Sequence, residues 1–156
     1  MKRIEDKIYE KLKEKGYKVA TAESCTGGLL AGKLINVSGA SDIIDMSFVT
    51  YSNGAKCKLV NVDNRTIETY NVVSEEVAKE MAVGAKDSAG CEVGLATTGI
   101  AGPKGGTKEI PVGTVCFGIV VKDKVYTYTN VFKNRSRQGV RKASVNFILN
   151  KLNELL

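Results

Sequence analysis

The sequence of 156 residues contains no histidine. Without an imidazole, neither a Ser-His-Asp triad nor a Cys-His pair can form, and metal sites that depend on histidine ligands are excluded. Acid–base catalysis in this protein must therefore use lysine, aspartate, glutamate, tyrosine or cysteine. This absence narrows the possible chemistry more than any other feature of the composition.

The sequence also lacks any Cys-x-x-Cys pair, and its four cysteines are Cys25, Cys57, Cys91 and Cys116. The basic segment 1–7 is not followed by an apolar core, so it is unlike a signal peptide. We therefore expect reduced, mostly buried thiols in a cytoplasmic protein. The cysteine spacing does not suit zinc, and we predict neither a metal site nor a cofactor.

No apolar run approaches the roughly 20 residues that cross a bilayer, so no membrane partner is expected. The formal net charge is +6, which is typical either of a solvated basic surface or of a protein with an anionic partner. That partner would be a phosphorylated small molecule or a nucleic acid. The basic residues are dense only over 133–142, where aromatic residues do not interleave with them, and nucleic acid is therefore the less favoured partner.

The hydrophobic pattern predicts alternating helices and strands. The predicted helices cover 2–15, 26–37, 53–59, 75–88 and 136–156. The predicted strands cover 18–22, 46–51, 92–97, 113–121 and 125–132. Such alternation predicts an α/β fold with helices on both faces of the sheet, and the hairpin of the last two strands makes the sheet mixed. With no repeat and no linker, residues 1–156 are expected to form one domain.

Three segments that carry candidate functional residues directly follow predicted strands. They are 21–28, 51–56 and 97–106. In an open α/β sheet, ligands bind beyond the carboxyl ends of the strands, so these segments are expected to converge on one site.

The first segment lies at a predicted helix N-terminus, where free N–H groups would stabilise an anion. Ser24, Cys25 and Thr26 are its possible nucleophiles. The alternative is that Ser24 or Thr26 only caps the helix.

The other candidates also have ordinary structural interpretations. The glycine-rich loop 99–106 either brings its backbone close to a ligand or forms a flexible turn. Lys56, taken alone, is typical of a surface lysine on a helix. An arginine of the segment 137–141 either binds a phosphate through two hydrogen bonds or belongs to an exposed basic turn.

Together these segments resemble the CinA C-terminal domain family, also known as the nicotinamide-nucleotide amidases. The matching blocks span nearly the whole chain in order, and they are Ala22–Gly28, Tyr51–Asn53 with Ala55–Lys56, Val73–Glu75 with Met81–Ala82, Thr98–Pro103 with Gly105–Gly106, and Pro111–Val115. The sequence departs from the family pattern at Ile110, at Asn71–Val72 and at Arg135–Ser136. These departures bear on substrate preference more than on the chemistry.

The resemblance implies a three-layer α/β/α sandwich with a mixed, mostly parallel sheet, in a homo-oligomer that is a dimer or larger. It implies hydrolysis of nicotinamide mononucleotide to nicotinic acid mononucleotide and ammonia. Ser24 is similar to the family's nucleophile and Lys56 to its general base, with Tyr51 as a supporting catalytic residue. The residues implied to contact the substrate are Glu23, Thr26, Gly27, Asn53, Thr98, Gly99, Ala101, Gly102 and Arg141.

The chemistry of the residues is compatible with that implication. A serine–lysine pair is an established means of acyl transfer without histidine. A free lysine has a pKa of about 10.4, so it can act as a base near pH 7 only if burial or nearby positive charge lowers that value. Arg141 and the pyridinium of the substrate could supply such charge. Backbone N–H groups near Thr26 or Gly99 could stabilise the oxyanion.

Two other functions remain open from the sequence. The domain could be a catalytically silent pyridine-nucleotide-binding module, since a fold can keep its pocket and lose turnover. It could also be a competence-related, nucleic-acid-associated protein, for which strongly salt-dependent DNA binding would be the test. Release of ammonia from nicotinamide mononucleotide distinguishes the amidase from both.

Overall fold

A computed structural model describes all 156 residues of the chain. The six α-helices are α1 (Ile4–Lys15), α2 (Leu29–Leu34), α3 (Asn53–Val60), α4 (Asn64–Tyr70), α5 (Glu75–Ala89) and α6 (Arg137–Leu155). The five strands are β1 (Val19–Glu23), β2 (Phe48–Val49), β3 (Val93–Gly99), β4 (Thr114–Val121) and β5 (Lys124–Val131). A single 3-10 turn, Ala40–Asp42, lies between α2 and β2.

The strands form one sheet in the order β2-β1-β3-β4-β5. β1 pairs in parallel with β2 and β3, whereas β4 is antiparallel to both of its neighbours. All strands except β4 therefore point in the same direction, which confirms the expected mixed, mostly parallel sheet. The antiparallel part follows from the β4–β5 hairpin, because a tight turn can only reverse the chain.

Two hydrophobic clusters cover the two faces of the sheet. One face packs against α1, α2 and α6 through buried residues that include Leu12, Leu30 and Ile148. The other packs against α3, α4 and α5 through residues that include Val60 and Met81. β1 is buried along its whole length, as a strand covered on both faces must be. The three-layer α/β/α architecture is thereby confirmed.

Glycines in the sheet allow α5 to approach it closely. A Cβ atom at Gly94 on β3 would collide with the carbonyl oxygen of Ala82, and one at Gly118 on β4 would collide with that of Ala78. Only a residue without a side chain fits at these two positions. This close packing fixes the depth at which α5 and its neighbour α3 lie over the sheet.

The predicted elements are present, but two of them are shorter than the pattern suggested. The second helix was predicted to begin at Thr26 and begins at Leu29 instead. Gly27 and Gly28 have φ angles of 54° and 102°, which are incompatible with a right-handed helix. β2 contains only Phe48–Val49 of the predicted 46–51, because the sheet ends there.

The helices α1 to α6 include none with the length and apolar character that crossing a membrane requires.

Candidate active site

The three segments predicted to converge do meet, at the carboxyl ends of β1, β2 and β3. They line a cavity of about 360 Å³. Residues 71–73, Thr107 and Ile110, and Arg137 at the start of α6 complete its lining. The parallel pairing of β1 with both β2 and β3 places these three strand ends at the same edge of the sheet. A cavity of this size is in the range that small-molecule ligands occupy.

Ser24 and Lys56 are in direct contact at the floor of this cavity. Ser24 follows the last residue of β1, and Lys56 lies in the first turn of α3. The Nζ atom of Lys56 is 3.0 Å from the Oγ atom of Ser24. Ser52 fixes the start of α3, because its Oγ accepts a hydrogen bond of 3.0 Å from the N–H of Ala55. This N-cap sets the rotation of the helix and so turns Lys56 inward.

The amine of Lys56 is almost completely buried, with 1% of the residue exposed. Burial lowers the pKa of Lys56 from 10.5 to about 8, since a charged ammonium loses its hydration there. Nζ also donates to the carbonyl oxygens of Thr50, at 2.8 Å, and Tyr51, at 3.3 Å. A neutral amine has two N–H bonds and one lone pair, so two carbonyl acceptors leave the lone pair for the hydroxyl of Ser24.

We name residues 24–28, which connect β1 to α2, the nucleophile turn. Its first N–H, on Ser24, donates to the carbonyl of Thr97 at 3.0 Å, and the N–H of Gly27 donates back to the carbonyl of Ser24 at 3.1 Å. Neither the N–H of Cys25 nor that of Thr26 donates to a carbonyl or to the side chain of another residue. Cys25 lines the cavity, so its N–H directly follows the candidate nucleophile at a place where an oxyanion could bind, whereas Thr26 is fully buried and does not line the cavity.

Glu23 holds the nucleophile turn from inside the protein. The residue is fully buried, and its carboxylate accepts hydrogen bonds from the hydroxyls of Thr21 and Thr26 and from the N–H groups of Gly28, Leu30 and Ala31. It therefore satisfies the free N–H groups at the start of α2.

Most of the residues predicted to form the site line the cavity. Those that do are Ser24, Tyr51, Asn53, Lys56, Thr98, Gly99, Ala101 and Gly102. Glu23, Thr26, Gly27 and Arg141 are not among the lining residues. Glu23 and Thr26 are bonded to each other beneath the turn, and substrate contact by these four residues stays a prediction.

The arginine that lines the cavity is Arg137, one turn of α6 before Arg141. Its guanidinium donates to the carbonyl of Gly102 and to the hydroxyl of Tyr51, both at 2.9 Å. Arg141 instead donates from Nε to the carbonyl of Cys25, at 3.0 Å, and from Nη2 to that of Thr26, at 3.2 Å. The sequence pattern marked the segment 137–141, and the resemblance named Arg141 within it as the substrate-contacting residue, not Arg137.

Sequence analysis also missed Lys104, which lies in the glycine-rich loop and lines the cavity. Three cations, Lys56, Lys104 and Arg137, face the cavity, and its lining includes no aspartate or glutamate. Lys104 forms neither a hydrogen bond nor an ion pair within the chain. The signal that could have found it was its position in a loop directly after a strand. Two of the departures from the family pattern, Ile110 and Asn71–Val72, also line the cavity.

Cys25, the neighbour of Ser24, lines the cavity but is 6% exposed. Burial raises the pKa of its thiol to about 11. The group is therefore a thiol and not a thiolate at neutral pH, which makes it a poor nucleophile. No group of three or more cysteine, aspartate or glutamate side chains lies close enough together to hold a metal ion.

Comparison with known proteins places this geometry in a family. The family model for the CinA C-terminal domain matches residues 1–156. A curated CinA-like protein from Fusobacterium nucleatum is 47% identical over 152 residues, which represent 96% of this chain and 37% of that protein. The chain spans about a third of the length of the curated relatives that it matches.

Solved structures agree over almost the whole chain. The competence/damage inducible protein CihA from Agrobacterium tumefaciens is 37% identical, with a TM-score of 0.94 over 97% of this chain and 93% of that one. A CinA superfamily protein from Escherichia coli is also 37% identical, with a TM-score of 0.94 over 98% of this chain and 88% of its own.

Proposed function

The chain belongs to the CinA C-terminal domain family, and from this premise we propose that it is an amidohydrolase that cleaves the carboxamide of nicotinamide mononucleotide. The products are nicotinic acid mononucleotide and ammonia. The observation that carries the proposal is the contact of 3.0 Å between Ser24 Oγ and the buried amine of Lys56. A pair of this kind can deprotonate and use a hydroxyl without histidine.

The reaction begins when the neutral amine of Lys56 takes the proton of the Ser24 hydroxyl. Oγ then bonds to the carboxamide carbon, and the carbonyl electron pair moves onto oxygen. The N–H of Cys25, a residue that lines the cavity, stabilises this oxyanion. When the tetrahedral intermediate collapses, the carbon–nitrogen bond breaks and the ammonium of Lys56 returns its proton to the leaving amide nitrogen. Ammonia departs and an ester on Ser24 remains.

Water completes the reaction by the same sequence of steps. Lys56 takes a proton from a water molecule, the hydroxide attacks the ester carbon, and Oγ of Ser24 leaves with the proton that Lys56 returns. The free carboxylic acid is released and both side chains regain their starting states. No redox step or cofactor is required for this cycle.

The charges of the cavity support a phosphorylated substrate. Lys104 has no hydrogen bond or ion pair in the chain, Arg137 also lines the cavity, and no carboxylate lines it. A phosphate monoester would neutralise the charges of Lys104 and Arg137.

Tyr51 supports both ends of this arrangement. Its carbonyl oxygen accepts a hydrogen bond from Lys56 Nζ at 3.3 Å, and its hydroxyl accepts one from Arg137 at 2.9 Å. The hydroxyl of Tyr51 is thus bonded to Arg137, which we propose binds the phosphate, while its backbone carbonyl helps to hold the amine of Lys56. We assign Tyr51 to the alignment of Lys56 and Arg137.

An ammonia-release assay tests the proposal directly. Nicotinamide mononucleotide, nicotinamide riboside and free nicotinamide are compared as substrates. We expect ammonia from the mononucleotide at the greatest kcat/KM. Calorimetric binding of the mononucleotide without any ammonia would identify a silent binding module and overturn the amidase.

The rate of the proposed reaction should depend on pH through the protonation state of Lys56. Because Lys56 must be neutral to act as the base and burial lowers its pKa to about 8, kcat/KM should rise with pH and level off above an apparent pKa near 8. The measurement is initial ammonia release between pH 6 and 10, with circular dichroism at each pH as the control for folding. A profile without a rise in this range would argue against Lys56 as the base.

Cys25 lies beside Ser24 in the same turn, so its role as an alternative nucleophile can be tested by substitution. Its high thiol pKa, about 11, leads us to expect that Cys25→Ala retains turnover within a few-fold of the unmodified protein. The measurement is kcat for ammonia release. Loss of activity in Cys25→Ala with normal thermal stability would transfer the nucleophile assignment to the thiol.

A further inference from the structure

The hydroxyl of Tyr51 keeps a proton for which the chain offers no acceptor. A guanidinium can only donate hydrogen bonds, so in the contact of 2.9 Å between Arg137 Nη2 and the Tyr51 hydroxyl the oxygen of Tyr51 is the acceptor. The O–H of Tyr51 itself donates to no atom of the chain. Tyr51 lines the cavity and is 60% exposed, so this proton is available to a bound ligand.

The guanidinium of Arg137 also keeps unused donors. It has five N–H groups, and the chain takes two of them, one through Nη1 to the carbonyl of Gly102 and one through Nη2 to the hydroxyl of Tyr51, both at 2.9 Å. These two contacts hold the guanidinium in one orientation at the start of α6. The remaining N–H groups therefore lie beside the O–H of Tyr51 in the same cavity lining.

The contact with Arg137 prepares the Tyr51 hydroxyl to bind an anion. A hydroxyl that accepts a hydrogen bond from a cation is polarised, which strengthens its own O–H as a donor. Its oxygen and Arg137 Nη2 are 2.9 Å apart, so the two groups can donate to neighbouring oxygens of one anion. The lining contains no carboxylate that would compete for these donors.

We propose that the Tyr51 hydroxyl binds the phosphate of the substrate together with Arg137 and thereby determines the preference for a phosphorylated substrate. This inference rests on the proposed amidase function. Hydrogen bonds to an ionised acceptor are about twice as strong as those between neutral groups. The riboside presents a neutral hydroxyl in place of the phosphate, so the Tyr51 hydroxyl contributes little to its binding.

The side chain and the backbone of Tyr51 have separable roles. Its carbonyl oxygen accepts a hydrogen bond from Lys56 Nζ at 3.3 Å, and that oxygen remains in any substitution. Tyr51→Phe therefore removes the phosphate ligand and leaves the hydrogen bonds of the base. Poorer alignment of Lys56 would lower kcat for both substrates, whereas loss of a phosphate ligand affects the mononucleotide alone.

The test compares Tyr51→Phe with the unmodified protein and with Tyr70→Phe as the matched control. Tyr70 is 54% exposed, which is similar to Tyr51, but it does not line the cavity. We expect Tyr51→Phe to lower kcat/KM for the mononucleotide by roughly 10- to 100-fold, as loss of a hydrogen bond to a charged group does, mainly through KM. For the riboside, kcat/KM should stay within about two-fold, and Tyr70→Phe should retain both values.

Inhibition by inorganic phosphate provides a second measurement at the same place. Phosphate should compete with the mononucleotide, and its inhibition constant should rise roughly 10-fold in Tyr51→Phe. Equal losses of kcat for the mononucleotide and the riboside would assign the hydroxyl to the base and overturn the inference. Unchanged kcat/KM for the mononucleotide would also overturn it, because the hydroxyl would then bond only to water.

The proposed function and this inference can fail separately. If the unmodified protein releases no ammonia from any amide, the amidase proposal fails. Calorimetric binding of the mononucleotide and the riboside still tests Tyr51, because the phosphate is bound before any bond breaks. Weaker binding of the mononucleotide alone in Tyr51→Phe supports the role in phosphate recognition. Equal affinities of Tyr51→Phe and Tyr70→Phe for the mononucleotide, or no binding of it by the unmodified protein, overturn that role.

Discussion

Ser24→Ala is expected to reduce kcat for ammonia release by roughly 10⁴-fold or more, as removal of the nucleophile does in serine hydrolases. The substrate should still bind, because the cations and the backbone of the cavity are unchanged. The fold should also be retained, since Lys56 keeps its hydrogen bonds to the carbonyls of Thr50 and Tyr51. The variant thus removes the reacting atom and little else.

The measurements for Ser24→Ala are steady-state ammonia release and calorimetric binding of the mononucleotide. Cys25→Ala is the matched control, because it removes the one other sulfur or hydroxyl nucleophile of the turn that lines the cavity. A mass increase on Ser24 during turnover, absent in Ser24→Ala, would identify the ester. Near-normal turnover in Ser24→Ala would contradict the mechanism.

Lys56→Met is expected to lower kcat by several orders of magnitude with little change in substrate binding, because the proton of Ser24 is removed on the way to the transition state. Lys56→Arg should be almost as damaging, since a guanidinium does not lose its proton near neutral pH. Lys58→Met is the matched control: Lys58 lies on the same helix but is exposed, and its replacement should leave kcat unchanged. Near-normal turnover in Lys56→Arg would show that Lys56 contributes only its positive charge and is not the base.

The same substitution should change how the stability of the protein depends on pH. A pKa that falls from 10.5 to about 8 on folding means that the folded state disfavours the ammonium by about 3 kcal/mol. This cost is fully present below pH 8, where the amine is charged in both states, and disappears as the pH rises towards 10.5. Lys56→Met removes the cost, although it also loses the hydrogen bonds of Nζ.

We therefore expect the free energy of unfolding of Lys56→Met, relative to that of the unmodified protein, to be about 3 kcal/mol higher at pH 7 than above pH 10.5. The measurement is urea unfolding at several pH values, with Lys58→Met as the reference. A stability difference between the two variants that stays constant from pH 7 to pH 10.5 would show that Lys56 is not buried as a charged group. A catalytic base that destabilises the fold is a common compromise at active sites.

Sequence patterns were sufficient to find the strand ends and the segments that carry candidate residues, and the family resemblance then singled out Ser24 and Lys56 within them. Ser24 follows an apolar strand, Lys56 follows another, and the glycine-rich loop follows a third. Parallel strands bring such ends to one edge of the sheet, so convergence could be predicted without coordinates. Ser74 lies directly before α5, and its Oγ accepts a hydrogen bond from Val77 N–H, as expected for a serine at an N-cap.

Sequence patterns were not sufficient to assign direction to individual side chains. Glu23 and Ser24 are adjacent, yet the carboxylate of Glu23 points inward to the start of α2, whereas the side chain of Ser24 faces the cavity. Alternation along a strand predicts opposite faces for neighbours, but it does not say which face holds the ligand. The sequence also did not identify Arg137 as the arginine that lines the cavity, because both Arg137 and Arg141, the residue that was named, lie near the start of α6.

The sequence by itself determined which chemistry is possible for this protein. With no histidine in the chain, acid–base catalysis must use lysine, aspartate, glutamate, tyrosine or cysteine, and the order of the elements is enough to bring Ser24 and Lys56 to one edge of the sheet. Both conclusions depend on residue types and on local periodicity, which need no knowledge of distant contacts. The tertiary structure alone decided how effective that pair can be. The pKa of Lys56 depends on the depth at which α3 packs over the sheet, and that depth is set by contacts between α3 and α5 across the fold. Desolvation is a property of everything that surrounds a group, so no segment of the sequence contains it.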